Sequence, residues 1–404
     1  MTNMPVYMDN HATTRVDPRV VEAMQPFFTD QYGNSASVGH AFGWDAKDAV
    51  ERATQTIASA IGAQAKEIVF TSGATESNNL AIRGIAESSR RKGNHLISVA
   101  TEHKAVLDPL SRLSERDFDV TLLDVEQDGN PRAAYLDPQE VADALRDDTA
   151  LVSVMLANNE IGVIEPLAEI GAVCRERGVP LHCDATQAVG KISVDVDALQ
   201  VDLMSFSAHK IYGPKGVGAL YVRRRQPLVR LEPQIAGGGH QRGLRSGTLN
   251  TPGIIGFAAA IELCQAEMAE EQSRLADLRD RLSVGLSESL SGVQRCGPDL
   301  AERYPDGTPL RLPGNLTLSF ALVDGEALLL SMGGLAVSSG AACSSADPQP
   351  SHVLRALGIS LERTRSSLRF GLGRFNTAAD VDYAISAVTE SVERLRKMSS
   401  LTTE

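Results

Sequence analysis

The sequence predicts an α/β protein: a mainly parallel sheet covered by helices on both faces, followed by a smaller α+β unit. Two observations carry this. From residue 66 to about 222, short apolar runs alternate with amphipathic helical stretches, as when buried strands are joined by crossover helices. Beyond a long, charged amphipathic stretch over 255–290, strand-like and helical runs mix without that alternation. A chain of 404 residues is also too long for one small core.

The elements follow in chain order. Strand-like runs lie at 67–71, 95–100, 120–123, 151–156, 179–183 and 203–206. Helical stretches lie between them at 75–91, 104–116, 137–146 and 166–177. The segment 255–290 reads as one helix leaving the large body. Strand-like runs then fall at 315–320, 336–338 and 368–370, and helical ones at 325–331, 350–357 and 377–396. The expected division is a large domain over 16–258, with 1–15 and 259–404 forming the small domain that carries the Cys343 loop.

Composition narrows the class. Hydrophobic residues at 43% and charged residues at 22% exclude general disorder. A net charge of −12 lacks the basic footprint of a nucleic-acid binder. No apolar run approaches the ~18–20 residues of a membrane helix. The opening MTNMPVYMDN has no signal-peptide pattern, so a cytoplasmic location is expected. The five cysteines are scattered and form no CxxC pair, which argues against a disulfide framework or a zinc site. No metal site is expected, and four of the thiols are expected to be buried.

Ligands of open α/β sheets sit beyond the carboxyl ends of the strands, and here those ends are polar. The first run leads into Ser72-Gly73-Ala74-Thr75-Glu76, a glycine turn feeding a helix N-terminus, which is a ready phosphate site. Later runs end in Thr101-Glu102-His103, Ala157-Asn158-Asn159-Glu160, Asp184-Ala185-Thr186-Gln187 and Ser207-Ala208-His209-Lys210. Singly, each reads as a cap, a turn or a solvated loop. Jointly they supply a pyridoxal phosphate site: a carboxylate for the ring nitrogen (Asp184), a lysine for the aldehyde (Lys210), and a phosphate cup from Gly73–Thr75 with Ser207 and His209. A further run, Val337 to Ser345, places Cys343 among small residues with no large side chain to bury its thiol, so exposure is expected.

Seven segments carry a family resemblance along nearly the whole chain. They are FTSGATESNNLAI (70–82), TEHKAVL (101–107), NNEIGV (158–163), HCDATQAVGK (182–191), SFSAHKIYGPKGVGALY (205–221), RSGTLN (245–250) and SSGAACSS (338–345). With these the chain resembles the cysteine desulfurases, the NifS/IscS-like branch of the class V aminotransferase family.

The resemblance implies a homodimer of fold-type I subunits, each with a seven-stranded, mainly parallel sheet, using pyridoxal 5'-phosphate. Lys210 would carry the cofactor covalently, His103 would stack on its ring and shuttle protons, and Asp184 would pair with the ring nitrogen. Gln187 and Asn159 would bond the ring-hydroxyl region. Ala74, Thr75, Ser207 and His209 would hold the phosphate, with Thr248 reaching across from the other subunit. Arg369 would hold the substrate carboxylate. The implied reaction turns L-cysteine into L-alanine and leaves a persulfide on Cys343. That sulfur would pass to an iron–sulfur scaffold or another acceptor, with Cys343 itself a transient iron–sulfur ligand at most. The alternatives are a selenocysteine lyase or another class V enzyme on the same site.

Overall fold

The computed structural model describes residues 5–88, 93–226, 228–340 and 349–401. The strands, in chain order, are β1 (Val6–Tyr7), β2 (Ile68–Thr71), β3 (His95–Val99), β4 (Asp119–Leu123), β5 (Thr149–Ser153), β6 (Leu181–Asp184) and β7 (Leu203–Ser207). They continue with β8 (Gly218–Val222), β9 (Val293–Arg295), β10 (Asn315–Phe320), β11 (Leu335–Ala336), β12 (Ser338–Ser339) and β13 (Ser367–Gly371).

Seven of them form one sheet in the order β2-β8-β7-β6-β5-β3-β4. All run the same way except β8, which is antiparallel to both its neighbours. The fold is therefore the expected α/β architecture with a mainly parallel sheet. Residues alternate between its two faces. Ile68, Phe70, Ile97, Val99, Met204 and Phe206 join one core, and Val69, Leu96, Leu203 and Leu220 join the other. Helices Ala74–Ala86 and Lys104–Ser114 cover the second face through Leu80, Ile82, Ile85, Val106 and Leu110.

Strand β8 is absent from the sequence reading because its glycine-rich approach reads as a loop. Only ten residues separate β7 from β8. That is too few for a crossover, so β8 must turn back antiparallel. Strand β5 begins two residues earlier than the expected run, and its backbone still bonds β6 beyond Ser153, from Val154 N (3.0 Å) and Leu156 N (3.0 Å).

The expected long helix is present as Thr251–Ser289, capped by the Asn250 side chain. Beyond it, β12-β13-β10-β9 form an antiparallel sheet. Around that sheet lies a further core, with Met8, Leu282, Leu318, Phe320, Phe370 and Val388 among its buried members. The single strand expected near 336–338 is split: β11 pairs with β1, and β12 pairs with β13. The chain's start is thereby fixed against its end, with Asn10 N bonding Gly371 O at 3.0 Å.

One close approach shapes the sheet edge. A Cβ at Gly218 would lie 2.7 Å from Gly73 Cα and 2.8 Å from the Phe206 carbonyl oxygen, so β8 passes the turn after β2 only as glycine. Gly218→Ala is expected to destabilise the protein by about 1–3 kcal/mol through overpacking. Equilibrium denaturation would check this, and a midpoint equal to wild type would refute the contact's importance.

Candidate active site

A cavity of about 770 Å³ opens where the parallel strands end. On the side of the seven-stranded sheet it is lined by Ser72–Glu76 after β2, His103 after β3, Asn159 and Glu160 after β5, Asp184 and Gln187 from β6, and Ser207, His209 and Lys210 from β7. On the other side lie Asp9, His11, Thr13, Ser338, His352 and Arg369.

Asp184 ends β6 and is buried. Its Oδ2 accepts from Asn78 Nδ2 at 2.7 Å, and its Oδ1 accepts from the Thr186 amide at 3.0 Å. Asn78 lies one helical turn beyond Ala74, which brings it over the strand ends. Lys210 closes the short 3-10 turn after β7, and its Nζ donates to the carbonyls of His11 (2.6 Å) and Ala12 (2.7 Å). Burial, with Arg369 nearby, lowers its ammonium to about 8 from an ordinary 10.5.

The helix Ala74–Ala86 starts after Gly73, which gives it no side-chain cap. Its leading amides therefore face outward at the positive end of the dipole. Gly73 has φ +155°, a conformation suited to glycine. His209 stands beside this turn with Nδ1 3.1 Å from Thr13 Oγ1. Burial, then the neighbouring Lys210 and Lys215, pushes its imidazole down to about 4, so it is a neutral hydrogen-bonding group.

His103 caps the helix Lys104–Ser114, its Nδ1 accepting from the Ala105 amide at 3.0 Å. The neutral ring therefore carries its proton on Nε2. Burial lowers its pKa, against the opposing pull of Asp184. Beneath it, Glu102 is fully buried, and burial with Asp184's charge raises its carboxyl well above the usual range. His352 Nε2 lies 2.7 Å from the Glu102 carbonyl oxygen and so must donate to it.

Arg369, on β13, donates from one terminal nitrogen to Asp9 Oδ1 and Ser338 Oγ, each at 2.9 Å. The other donates to the Asn159 carbonyl oxygen at 3.2 Å, while Nε is buried without a partner. Thr186 Oγ1, also on the cavity, is likewise unpartnered. These orphaned groups, the uncapped helix start and the Asp184–Lys210 pair fit pyridoxal phosphate: a carboxylate, an amine of lowered basicity and an anion cup share one cavity.

The cavity gathers Ala74, Thr75, His103, Asn159, Asp184, Gln187, Ser207, His209, Lys210 and Arg369. Thr248 does not line it and is exposed. Cys343 lies outside the described residues. Cys174, Cys183, Cys264 and Cys296 are buried free thiols, as expected. The sequence reading missed Asn78, Asp9 and His352. Asn78 has a local signal, its four-residue spacing from the helix start, whereas Asp9 and His352 meet the site only through long-range packing.

The class V aminotransferase profile matches residues 6–384, and the chain belongs to that family. It is 56% identical over 398 residues to "Cysteine desulfurase IscS" of Anaeromyxobacter dehalogenans (strain 2CP-C), across 98% of this chain and 95% of that one. Among solved structures, a "NifS-like protein" superposes with a TM-score of 0.86 at 37% identity, covering 96% of this chain and all of that one (100%). A structure described as "SspA in complex with cysteine" superposes with a TM-score of 0.77 at 34% identity, covering 92% and 99% of the two chains.

Asn78→Ala leaves Asp184 Oδ2 without its side-chain donor in a buried place. The expected loss is about 1–3 kcal/mol of stability. Urea unfolding measures it, and an unchanged midpoint would show that the bond contributes nothing.

Proposed function

We infer that the chain is a pyridoxal-phosphate-dependent cysteine desulfurase that converts L-cysteine to L-alanine and leaves the sulfur as a persulfide on Cys343. The observation that carries the reading is Lys210, its ammonium lowered to about 8, sharing one cavity with Asp184, the uncapped helix start and Arg369. When bound, pyridoxal phosphate supplies an electron sink for the negative charge that develops at the substrate Cα.

The chain's own groups do the rest. The amides of Ala74 and Thr75, with Ser207 and His209, hold the phosphate at the helix start. Asp184, kept in place by Asn78 and Thr186, holds the proton on the ring nitrogen. Gln187 and Asn159 bind the region of the ring hydroxyl. Arg369 binds the substrate carboxylate through its planar fork. Lys210 moves the Cα proton, a task suited to an amine that is partly neutral near pH 8. His103 would lie against the ring, and its neutral imidazole, with the proton on Nε2, offers a hydrogen-bond donor there.

The Cys343 thiolate attacks the substrate sulfur. A sulfur–sulfur bond forms, the carbon–sulfur bond breaks with its electron pair left on the carbon side, and protonation completes alanine. The persulfide then passes to acceptors, an iron–sulfur scaffold among them.

The homodimer and the domain division belong to the same proposal. Phe28, Tyr32, Phe42 and Trp44 are all at least half exposed, an apolar surface that a second copy would cover. Thr248, exposed and outside its own cavity, suits a role in the partner subunit. Residues 16–258 would form the large domain, with 1–15 and 259–404 the small one; the joint burial of Met8 with Leu282 and Leu318 supports pairing the chain's start with its end. No helix among the described residues is long and apolar enough to cross a membrane.

Incubation with L-cysteine, followed by persulfide trapping and alanine assay, tests the reading. Cys343→Ser should still bind cofactor and substrate and yield no persulfide, while single serine variants of Cys174, Cys264 and Cys296 retain activity. Persulfide formation by Cys343→Ser at the native rate would sink the mechanism. Preference for L-selenocysteine, with L-cysteine untouched, would instead make the chain a selenocysteine lyase.

Cofactor uptake gives a pH test. Only the unprotonated Lys210 amine can react with the aldehyde, and lowering the ammonium's pKa enlarges that fraction at lower pH. Uptake by the cofactor-free chain should therefore rise through a midpoint near 8 rather than near 10.5. Stopped-flow absorbance measures it, and a midpoint near that of a solvated lysine would contradict the burial argument.

A further inference from the structure

Gln187 is held by two groups that have no place in the mechanism above. Lys191 Nζ lies 2.6 Å from its Oε1. A lysine ammonium only donates, so the amide atom beside it must be the oxygen. At the amide's other end, Nε2 lies 2.9 Å from the His11 carbonyl oxygen, which only accepts, so that atom must be the nitrogen. The two constraints agree, and the amide orientation follows from chemistry alone.

The same logic fixes the His11 ring. Its Nδ1 is 3.0 Å from the doubly bonded Gln187 oxygen and must carry the proton, which leaves Nε2 bare; that atom is buried without a partner. Burial first, then Lys191, Arg369 and Lys210, holds this imidazole well below its usual range, so it stays neutral. Lys191 is lowered to about 7 by burial and then Lys210, with Cys264 and Glu271 of the long helix opposing and Arg369 adding to the fall. Its amine therefore changes charge near neutrality, yet it donates to Gln187 in either form. The Gln187 oxygen thus accepts two hydrogen bonds and its nitrogen donates one. A single N–H remains, on a residue that lines the cavity.

We propose that Lys191 and the His11 imidazole are positioning residues: with the His11 carbonyl fixing which end of the Gln187 amide is nitrogen, their two donors to its oxygen strengthen the one N–H left to donate to the ring oxygen of pyridoxal phosphate. This rests on the cofactor site proposed above. Donation draws charge from the ring oxygen, which then holds the neighbouring proton less tightly. Without one of those donors the amide keeps its orientation, because the His11 carbonyl is main chain, but its N–H donates less strongly and the ring oxygen holds that proton more tightly.

The experiment is a pH titration of the visible absorbance of cofactor-loaded wild type, Lys191→Met, Lys191→Arg and His11→Leu, with a denaturation midpoint for each. The absorbance midpoint should rise by about one pH unit, a tenfold change, in Lys191→Met and His11→Leu. Lys191→Arg, which keeps a donor, should stay near wild type. If Lys191→Met does not fold, His11→Leu carries the same measurement. Loss of stability in both variants with no shift in the absorbance midpoint would overturn the proposal, leaving the two residues a packing role. A wild-type chain that takes up no pyridoxal phosphate would overturn the site reading and this inference with it, so the two failures are distinct.

Discussion

The carbonyl oxygen of His11 accepts from Lys210 Nζ at 2.6 Å and from Gln187 Nε2 at 2.9 Å, donors 199 and 176 residues away in the chain. For one peptide group to serve both, its segment must be gripped from two sides. On one side Gly371 N donates to Met8 O at 2.7 Å and Asn10 N to Gly371 O at 3.0 Å, which lays the segment along β13. On the other, Thr14 N donates to His209 O at 2.9 Å, and the Thr14 hydroxyl accepts from Tyr212 N at 2.8 Å. A Cβ at Gly371 would fall 2.9 Å from His11 N, so the close approach needs glycine there. The aim of Lys210 and the seating of the β13 sheet on the seven-stranded sheet are thus one constraint.

That constraint concentrates charge. Lys210, Lys215 and Arg369 line a single cavity, against Asp9, Asp184 and Glu160. In a partly desolvated site each cation makes its neighbour harder to protonate, and Lys210 responds with an amine of lowered basicity. Arg369 is kept in place by Asp9 and Ser338 rather than left to a free rotamer. The cavity therefore has fixed donors and charges before any ligand arrives, which is the form of electrostatic preorganisation that lowers barriers most.

How far the sequence reveals this depends on the range of each interaction. Asp184, Lys210 and the Gly73 turn are legible because strand ends and helix starts are local patterns, and parallel strands place their ends at one edge. The direction of β8 follows from a ten-residue connection that could have been counted, but its glycine-rich approach hides the strand. Asp9, His352 and the Gln187–His11 contact are not legible. Each depends on which residues, 176 to 360 positions apart, share a face after the two sheets dock, and a single chain's local periodicity carries no such register.

The thiols show how burial selects chemistry. Desolvation raises Cys174 and Cys264 to about 12, raises Cys183 well above its ordinary value with Asp184's charge adding to it, and raises Cys296 as well. At neutral pH a thiol near 12 is thiolate in only about one molecule in 10⁵, and only the thiolate attacks sulfur. Cys264 is further engaged, its Sγ 3.5 Å from an Arg374 nitrogen and 3.7 Å from the Ile211 carbonyl oxygen. None of these four residues lines the cavity, whereas Gly340, three positions before Cys343 in the chain, does. Four cysteines are thus removed by the same desolvation that makes Lys210 a usable base. That supports leaving the proposed sulfur transfer to Cys343, the one cysteine set in a run of small residues.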